Sequence, residues 1–274
     1  LVTNTNFHMT SFLLPQYSYT DDIEAKDEIL EYYLKEFNES DSEMGISLLH
    51  TGGSNNQVMD YIKDYFDDQD IDYSFNAIYG LSNEDFRIGH RLLKDIHTIV
   101  RECNSDDKIV DYINDDVTLQ TITSDARKHS YMDNIKLMGI ETALGYSNIE
   151  MNVLPSLWPR NEDDEWQKLS KEEMSNVATY WSPYSYFDAT TISQSDERVR
   201  CFLNLNYNYS RKGDTIELNS QSHNNDVYYI LRTHDERIVS TSFGEYKQLE
   251  KNVYLIKTFA SLLDIKLEKV EDKD

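Results

Sequence analysis

The stretch Gly45–Gln57, GISLLHTGGSNNQ, decides how the first half of the chain is read. An apolar run ends in His50, two of the chain's nine glycines follow, and a polar tripeptide opens a helical pattern. Val58, Tyr61-Ile62 and Tyr65-Phe66 then recur at three- and four-residue spacing, the period of a helix with one apolar face. Beyond them Ile71, Tyr73, Phe75 and Ala77 alternate, as a strand does. The expectation is a short buried strand over Gly45–Leu49, a helix over Asn55–Phe66 capped by Ser54 or Asn55, and a strand over Ile71–Ala77. Strand, helix, strand is the crossover that returns a chain parallel to itself.

Working outward, Ile23, Ile29-Leu30, Tyr33-Leu34 and Phe37 predict a helix over Asp22–Phe37, with acids early where the helix dipole favours them. Leu92-Leu93, Ile96 and Ile99-Val100 predict a helix over Phe86–Val100. A third helix is expected over Asp125–Met138, closed by Gly139 as a C′ glycine. Residues 1–150 thus read as an α/β region. Residues 151–195 hold Trp158, Trp166 and Trp181, with Ser170 and Glu173 spaced as a capping box. From Val199 to Tyr209 apolar and polar residues alternate, a turn follows at Arg211–Asp214, and short strands are predicted at Thr215–Leu218, Val227–Arg232, Arg237–Ser242, Val253–Lys257 and Asp264–Lys269. Turn-separated strands of this spacing predict an antiparallel β-sandwich over residues 196–274.

The chain of 274 residues is long enough to bury a sizeable core, and 20 tyrosines exclude a disordered polymer. Its net charge of −24 repels phosphate backbones and anionic membranes, and no basic patch offsets it, so no nucleic-acid partner is expected. No apolar run approaches the ~18 residues of a membrane helix, so no membrane insertion is expected. The first residue is Leu1, and LVTNTNF reads as internal sequence, so the chain is expected to be the C-terminal portion of something longer.

His50 is the first candidate for chemistry. At the carboxyl end of a buried parallel strand a side chain faces the crevice where α/β and barrel proteins hold ligands. A histidine there can exchange protons near neutral pH. Gly52 and Gly53 would let a substrate approach the backbone. The competing reading is a histidine that caps the next helix, with glycines that serve only the turn.

ISLLHTGGSNNQ, with the helix VMDYIKDYF and the strand IDYSF behind it, resembles the last motif of the polysaccharide deacetylases of carbohydrate esterase family 4. The stretch VYYILRTHDERIVSTSFGEYKQLEKNVYLIK is similar to the β-sandwich tails of bacterial exopolysaccharide proteins of deacetylase-like kind. The resemblance implies a distorted or partial β/α barrel before the sandwich, an extracellular or cell-surface location, and an amino-sugar polysaccharide as partner. It further implies that His50 is the general acid toward the leaving amine, with a divalent metal such as Zn polarising the acetyl carbonyl. The family's His-x-x-x-His metal motif does not occur in this chain, so the metal ligands are unassigned. Asp21-Asp22 is similar to the family's catalytic pair but precedes a predicted helix, where an N-cap is the simpler role.

Other candidates are weaker. His90 and His97, seven apart on the predicted helix, stand roughly 10 Å apart, too far to share one metal unaided. Cys103 lies among acids, which blunt a thiol, and Cys201 falls on an apolar strand face, so both read as structural. Trp181 and Tyr184, near Tyr186 and Phe187, are candidates for a sugar-stacking platform or for packing between domains. Asp188 and Asp196 serve either a site or turns. Three functions stay open: a metal-dependent N-deacetylase or diverged relative, a non-catalytic carbohydrate-binding or assembly protein, and a glycoside hydrolase with a carboxylate pair.

Overall fold

The structure, a computed structural model, describes residues 10–13, 31, 34–35, 43–47, 55–69, 75–80, 96–103, 105–125, 132, 139, 146–150, 189–221 and 223–270. Two compact units emerge: Leu1–Ile135 with Ser147–Asp196, and Lys136–Tyr146 with Glu197–Asp274. Among the described residues no helix is long and apolar enough to cross a membrane.

The first unit is built on a six-stranded sheet. Its strands are β1 (Thr10–Leu13), β2 (Glu43–Ser47), β3 (Ala77–Tyr79), β4 (Thr98–Glu102), β5 (Val110–Tyr112) and β6 (Thr118–Ile122), in the order β1-β2-β3-β4-β6-β5. Every neighbouring pair is parallel except β5 on β6. The helix α1 (Asn55–Asp68) lies in sequence between the parallel neighbours β2 and β3. Ile46, Ile78, Ile99 and Leu119 form one cross-strand row and pack with Ile62 and Phe66 of α1. Phe66 meets Phe75 edge-on at 5.7 Å between ring centroids. A short parallel pair, β7 (Ser124–Asp125) and β8 (Ile149–Glu150), continues beyond β6.

Several expectations shift or fail here. The strand expected at Gly45–Leu49 runs Glu43–Ser47, and the one expected at Ile71–Ala77 runs Ala77–Tyr79. The helix expected over Phe86–Val100 is overturned at its end, where Thr98–Glu102 is β4. Thr98, Ile99 and Val100 are all buried, so both faces of the strand are covered and no alternation marks it. His97 is exposed just before β4, so the reading of His90 and His97 on one helix fails. Asp125 lies in β7 rather than opening a helix. Gly139 is itself helical and does not sit past a helix end. In the span Asp22–Phe37, Glu31, Leu34 and Lys35 are helical. The tryptophans and capping box of 151–188 lie outside the described residues.

Of the strand expected over Val199–Tyr209, Asn206–Tyr209 is strand as expected, while the first half is taken by the helix α2 (Ile192–Asn204). Its start is a reciprocal capping box: Thr191 N donates to Gln194 Oε1 at 3.1 Å, and Gln194 N donates to Thr191 Oγ1 at 3.3 Å. Buried Asp196 and Val199 and half-buried Leu203 follow helical spacing, which outweighs the accidental alternation of Val199, Cys201 and Leu203. Cys201 is therefore half-buried on a helix, not on a strand face.

The second unit is antiparallel throughout its described strands. β9 (Asn206–Lys212), β10 (Thr215–Gln221), β12 (Glu236–Thr241) and β15 (Leu262–Lys269) form a sheet in the order β12-β15-β10-β9. β11 (Val227–Arg232), β13 (Glu245–Glu250) and β14 (Val253–Thr258) form a second, β11-β14-β13. Leu218, Ile238, Leu263, Ile265 and Leu267 of the first sheet cluster with Tyr254 and Ile256 of the second. Gly213 and Asn252 take positive φ in the two-residue turns β9–β10 and β13–β14, as tight hairpins require. Strand β13 was not expected from the sequence, because only Leu249 of its six residues is half-buried.

Candidate functional site

The face of the parallel sheet opposite α1 is polar. One row across it is Ala77, Thr98 and Thr118; the next toward the carboxyl ends is Ser47, Tyr79, Val100 and Gln120. All of these are buried. Buried polar groups are costly without partners, so their hydrogen bonds reveal what the face is built to hold.

Most of the partners come from the first turns of α2. Thr118 Oγ1 donates to Asp196 Oδ1, and the Thr98 and Thr118 hydroxyls lie 3.4 Å apart. Ser195 Oγ donates to Gln120 Oε1 at 2.7 Å, while Gln120 Nε2 reaches the Ile192 carbonyl at 3.5 Å. The amino end of α2 is held by the starts of β1 and β2. Ile192 N donates to Thr10 Oγ1 at 2.8 Å, Ser193 N donates to Glu43 Oε1 at 3.1 Å, and Thr10 Oγ1 donates to the same oxygen at 2.8 Å. A carboxylate at a helix amino end is stabilising, because orphan N–H groups and the dipole both favour it. Asp196, an open candidate from sequence, thus has a structural role at 8 % exposure.

At the carboxyl edge of the sheet the chemistry is different. Tyr79, the last residue of β3, points its phenol at Glu150 Oε1 of β8 across 3.5 Å. Thr123, between β6 and β7, receives the Asn148 N–H on its hydroxyl at 2.9 Å and donates to the Asn148 carbonyl at 2.9 Å, fixing the start of β8 beside β7. Phe12 of β1 meets Tyr79 edge-on at 5.8 Å, crossing over Gly45 of β2. A phenol donor and a carboxylate at the carboxyl ends of parallel strands stand where such sheets hold ligands. Neither residue was singled out from the sequence. The signal was available in Asn76-Ala-Ile-Tyr79-Gly80, a short apolar run ended by a polar-tipped residue and a glycine, as in Leu48-Leu49-His50.

His50, Gly52, Gly53, Trp181 and Tyr184 lie outside the described residues, as do Asp21, Asp22 and Asp188. In chain order His50, Gly52 and Gly53 fall between the end of β2 at Ser47 and the start of α1 at Asn55. Among the described residues no three His, Cys, Asp or Glu side chains stand close enough to share a metal ion. The carboxyl ends of the described strands carry the carboxylates Glu150 of β8, Glu102 of β4 and Asp125 of β7, which do not gather into one cluster, beside phenol, hydroxyl and amide groups. That donor set does not fit Zn²⁺, which takes nitrogen, sulfur and carboxylate ligands in fours.

The second unit has its own concavity, a groove of about 390 Å³ lined by Ile216, Leu231 and Leu267 and by charges of both signs, Arg211, Arg232 and Lys269 with Asp235 and Glu236. Arg211 is bound by both oxygens of Glu236, with Nη1 at 2.9 Å from Oε2. The hydrogen bond from Arg211 holds the Glu236 carboxyl below the usual glutamate range. Residues 197–274 hold 12 of the 26 Lys and Arg residues and 13 of the 50 Asp and Glu residues, so the surplus negative charge lies almost wholly before Glu197.

Comparison with known proteins finds no family model and no curated protein that matches the chain.

Proposed function

We propose that the chain belongs to a protein that processes an extracellular amino-sugar polysaccharide, as a metal-dependent N-deacetylase or a diverged relative of one. The observation that carries the reading is the strand order. β1, β2, β3, β4 and β6 lie side by side, parallel, in the order of the chain. Consecutive parallel order is that of a β/α barrel, whereas doubly wound sheets reverse direction at a switch point. A barrel, partial or distorted, would gather the β1–β2, β2–α1 and β6–β8 connections at one carboxyl face. The β2–α1 connection carries His50, Gly52 and Gly53.

In this reading His50 protonates the nitrogen that leaves when the amide C–N bond breaks and water supplies the oxygen of the acetate. Tyr79 and Glu150 orient the sugar at the rim. A divalent metal in this reaction class polarises the acyl carbonyl. The described residues do not furnish its ligands. Acetate release from an acetylated glucosamine polymer, with and without added Zn²⁺ or Co²⁺, is the test. Release by the natural chain, reduced about 100-fold or more in His50→Ala, supports the reading. No release under any metal condition, or equal release from His50→Ala, refutes it.

A second reading, a non-catalytic carbohydrate-binding or assembly protein, is favoured by the groove of the second unit, which joins apolar side chains to hydrogen-bonding groups of both charges. Retention on the immobilised polymer without acetate release would select it.

A further inference from the structure

We infer that the second unit is a dimerisation module, in which β9 of one copy pairs antiparallel with β9 of a second copy across a two-fold axis at Tyr209. β9 is an edge strand of its four-stranded sheet, and all seven of its residues are exposed. Tyr207 and Tyr209 are 54 % and 70 % exposed, a large apolar load for a strand edge. Long, regular edges are templates for pairing, and natural proteins guard them with proline, bulges or charged side chains, lysine above all; the charges of β9, Arg211 and Lys212, are confined to its last two residues. β9 (Asn206-Tyr-Asn-Tyr-Ser-Arg-Lys212) contains no proline, and its ladder with β10 runs without a register shift.

Backbone direction selects the register. The two-residue loop Gly213-Asp214 closes on the pair Lys212–Thr215. Such a loop closes on a hydrogen-bonded pair, and bonded pairs alternate along an antiparallel ladder. Lys212, Ser210, Asn208 and Asn206 therefore direct their N–H and C=O groups to β10. Tyr207, Tyr209 and Arg211 direct theirs outward. Placing Tyr209 opposite Tyr209 sets Tyr207 opposite Arg211 at both ends. Every outward group then has a partner, giving about six hydrogen bonds across the axis.

The charges agree with this register. Arg211 and Lys212 sit at one end of β9, so antiparallel pairing places them opposite Tyr207 and Asn206. Parallel pairing would set Arg211 on Arg211 and Lys212 on Lys212, which like-charge repulsion disfavours. The global charge also chooses this unit. Two copies approaching through residues 1–196 would bring together most of the net charge of −24, whereas residues 197–274 are close to neutral. The contact is isologous, and it closes as a dimer rather than growing into a fibre.

Sedimentation of the full chain tests the idea. A dimer at concentrations up to about 100 μM is expected, and a monomer throughout overturns the proposal. Tyr209→Lys puts two ammonium groups on the axis and should weaken the dimer about tenfold or more; an unchanged dimer overturns the proposal. Paired residues in a bonded antiparallel position lie ~5.5 Å apart between Cα atoms, within disulfide reach. Tyr209→Cys in a chain carrying Cys103→Ser and Cys201→Ser should therefore form a covalent dimer under mild oxidation. Failure to cross-link, with the thiol still titratable, overturns the proposal even where the lysine variant does not fold.

Discussion

A Cβ added at Gly45 would lie 2.6 Å from Cε1 and 2.7 Å from Cδ1 of Phe12, and 3.2 Å from the Ala77 carbonyl oxygen. The glycine that opens the decisive stretch is there because the Phe12 ring crosses β2 to reach Tyr79. Gly45→Ala should destabilise the chain by about 1–3 kcal/mol, although alanine suits a strand better than glycine. In a Phe12→Leu background the same substitution should cost less, with a coupling of about 1 kcal/mol or more between the two sites. Urea denaturation of the four proteins of that cycle measures it. Equal cost in both backgrounds would show that the ring is not what excludes the side chain.

That contact also shows where sequence reading works and where it stops. The alternation of Leu263, Ile265 and Leu267 is visible in the letters because one face of β15 is core and the other is solvent. β4 is covered on both faces, so Thr98-Ile99-Val100 carries no period of its own and reads as the end of a helical stripe. α2 was hidden for the opposite reason. Val199, Cys201 and Leu203 alternate by chance, while the cue that mattered, Thr191 and Gln194 three apart, is a local capping signal. Tyr79 and Glu150 are 71 positions apart, and the pairing of β8 with β7, which follows β6 in the chain, brings them together. A contact of that range leaves no trace in spacing.

Stability should fall at acid pH, with the second unit contributing through two exposed pairs. The Arg211 hydrogen bond holds Glu236, and the Lys212 hydrogen bond at 2.7 Å holds Glu217, below the ordinary glutamate range. The unfolded chain then binds more protons than the folded one between the ordinary value and the lowered one. The stabilisation is complete above the ordinary glutamate value and is lost as pH falls through the folded value. Asp111, lowered chiefly by its hydrogen bond with Lys108, adds to the same window from the first unit. Denaturant midpoints measured across the acid range should decline. Glu236→Gln should flatten part of that decline and leave the alkaline limb unchanged.

The two thiols should separate kinetically. Cys103 is exposed after β4, whereas Cys201 is half-buried on α2 and burial pushes its thiol up. The thiolate is the reacting species, so Cys201 is slowed both by access and by ionisation. Titration with an aromatic disulfide in native buffer should show one fast and one slow thiol, with the slow one released by denaturant. Cys103→Ser should abolish the fast phase; its survival would reverse the assignment.

The last prediction concerns Tyr79 and Glu150, which the deacetylase reading places at the rim of the site. The bond between them is long at 3.5 Å, so Tyr79→Phe should cost only about 1 kcal/mol of stability. The phenyl ring keeps its edge contact with Phe12, so the sheet is left in place. If the pair orients a sugar, acetate release should drop about tenfold in Tyr79→Phe, and Glu150→Gln should behave alike because it keeps the shape and removes the charge. The effect should fall on the polymer and its short oligomers alike, since the rim would touch the reacting sugar and not a remote one. A loss of stability with unchanged turnover would make the pair a strut between β3 and β8. Turnover lost with stability retained would assign it to the substrate.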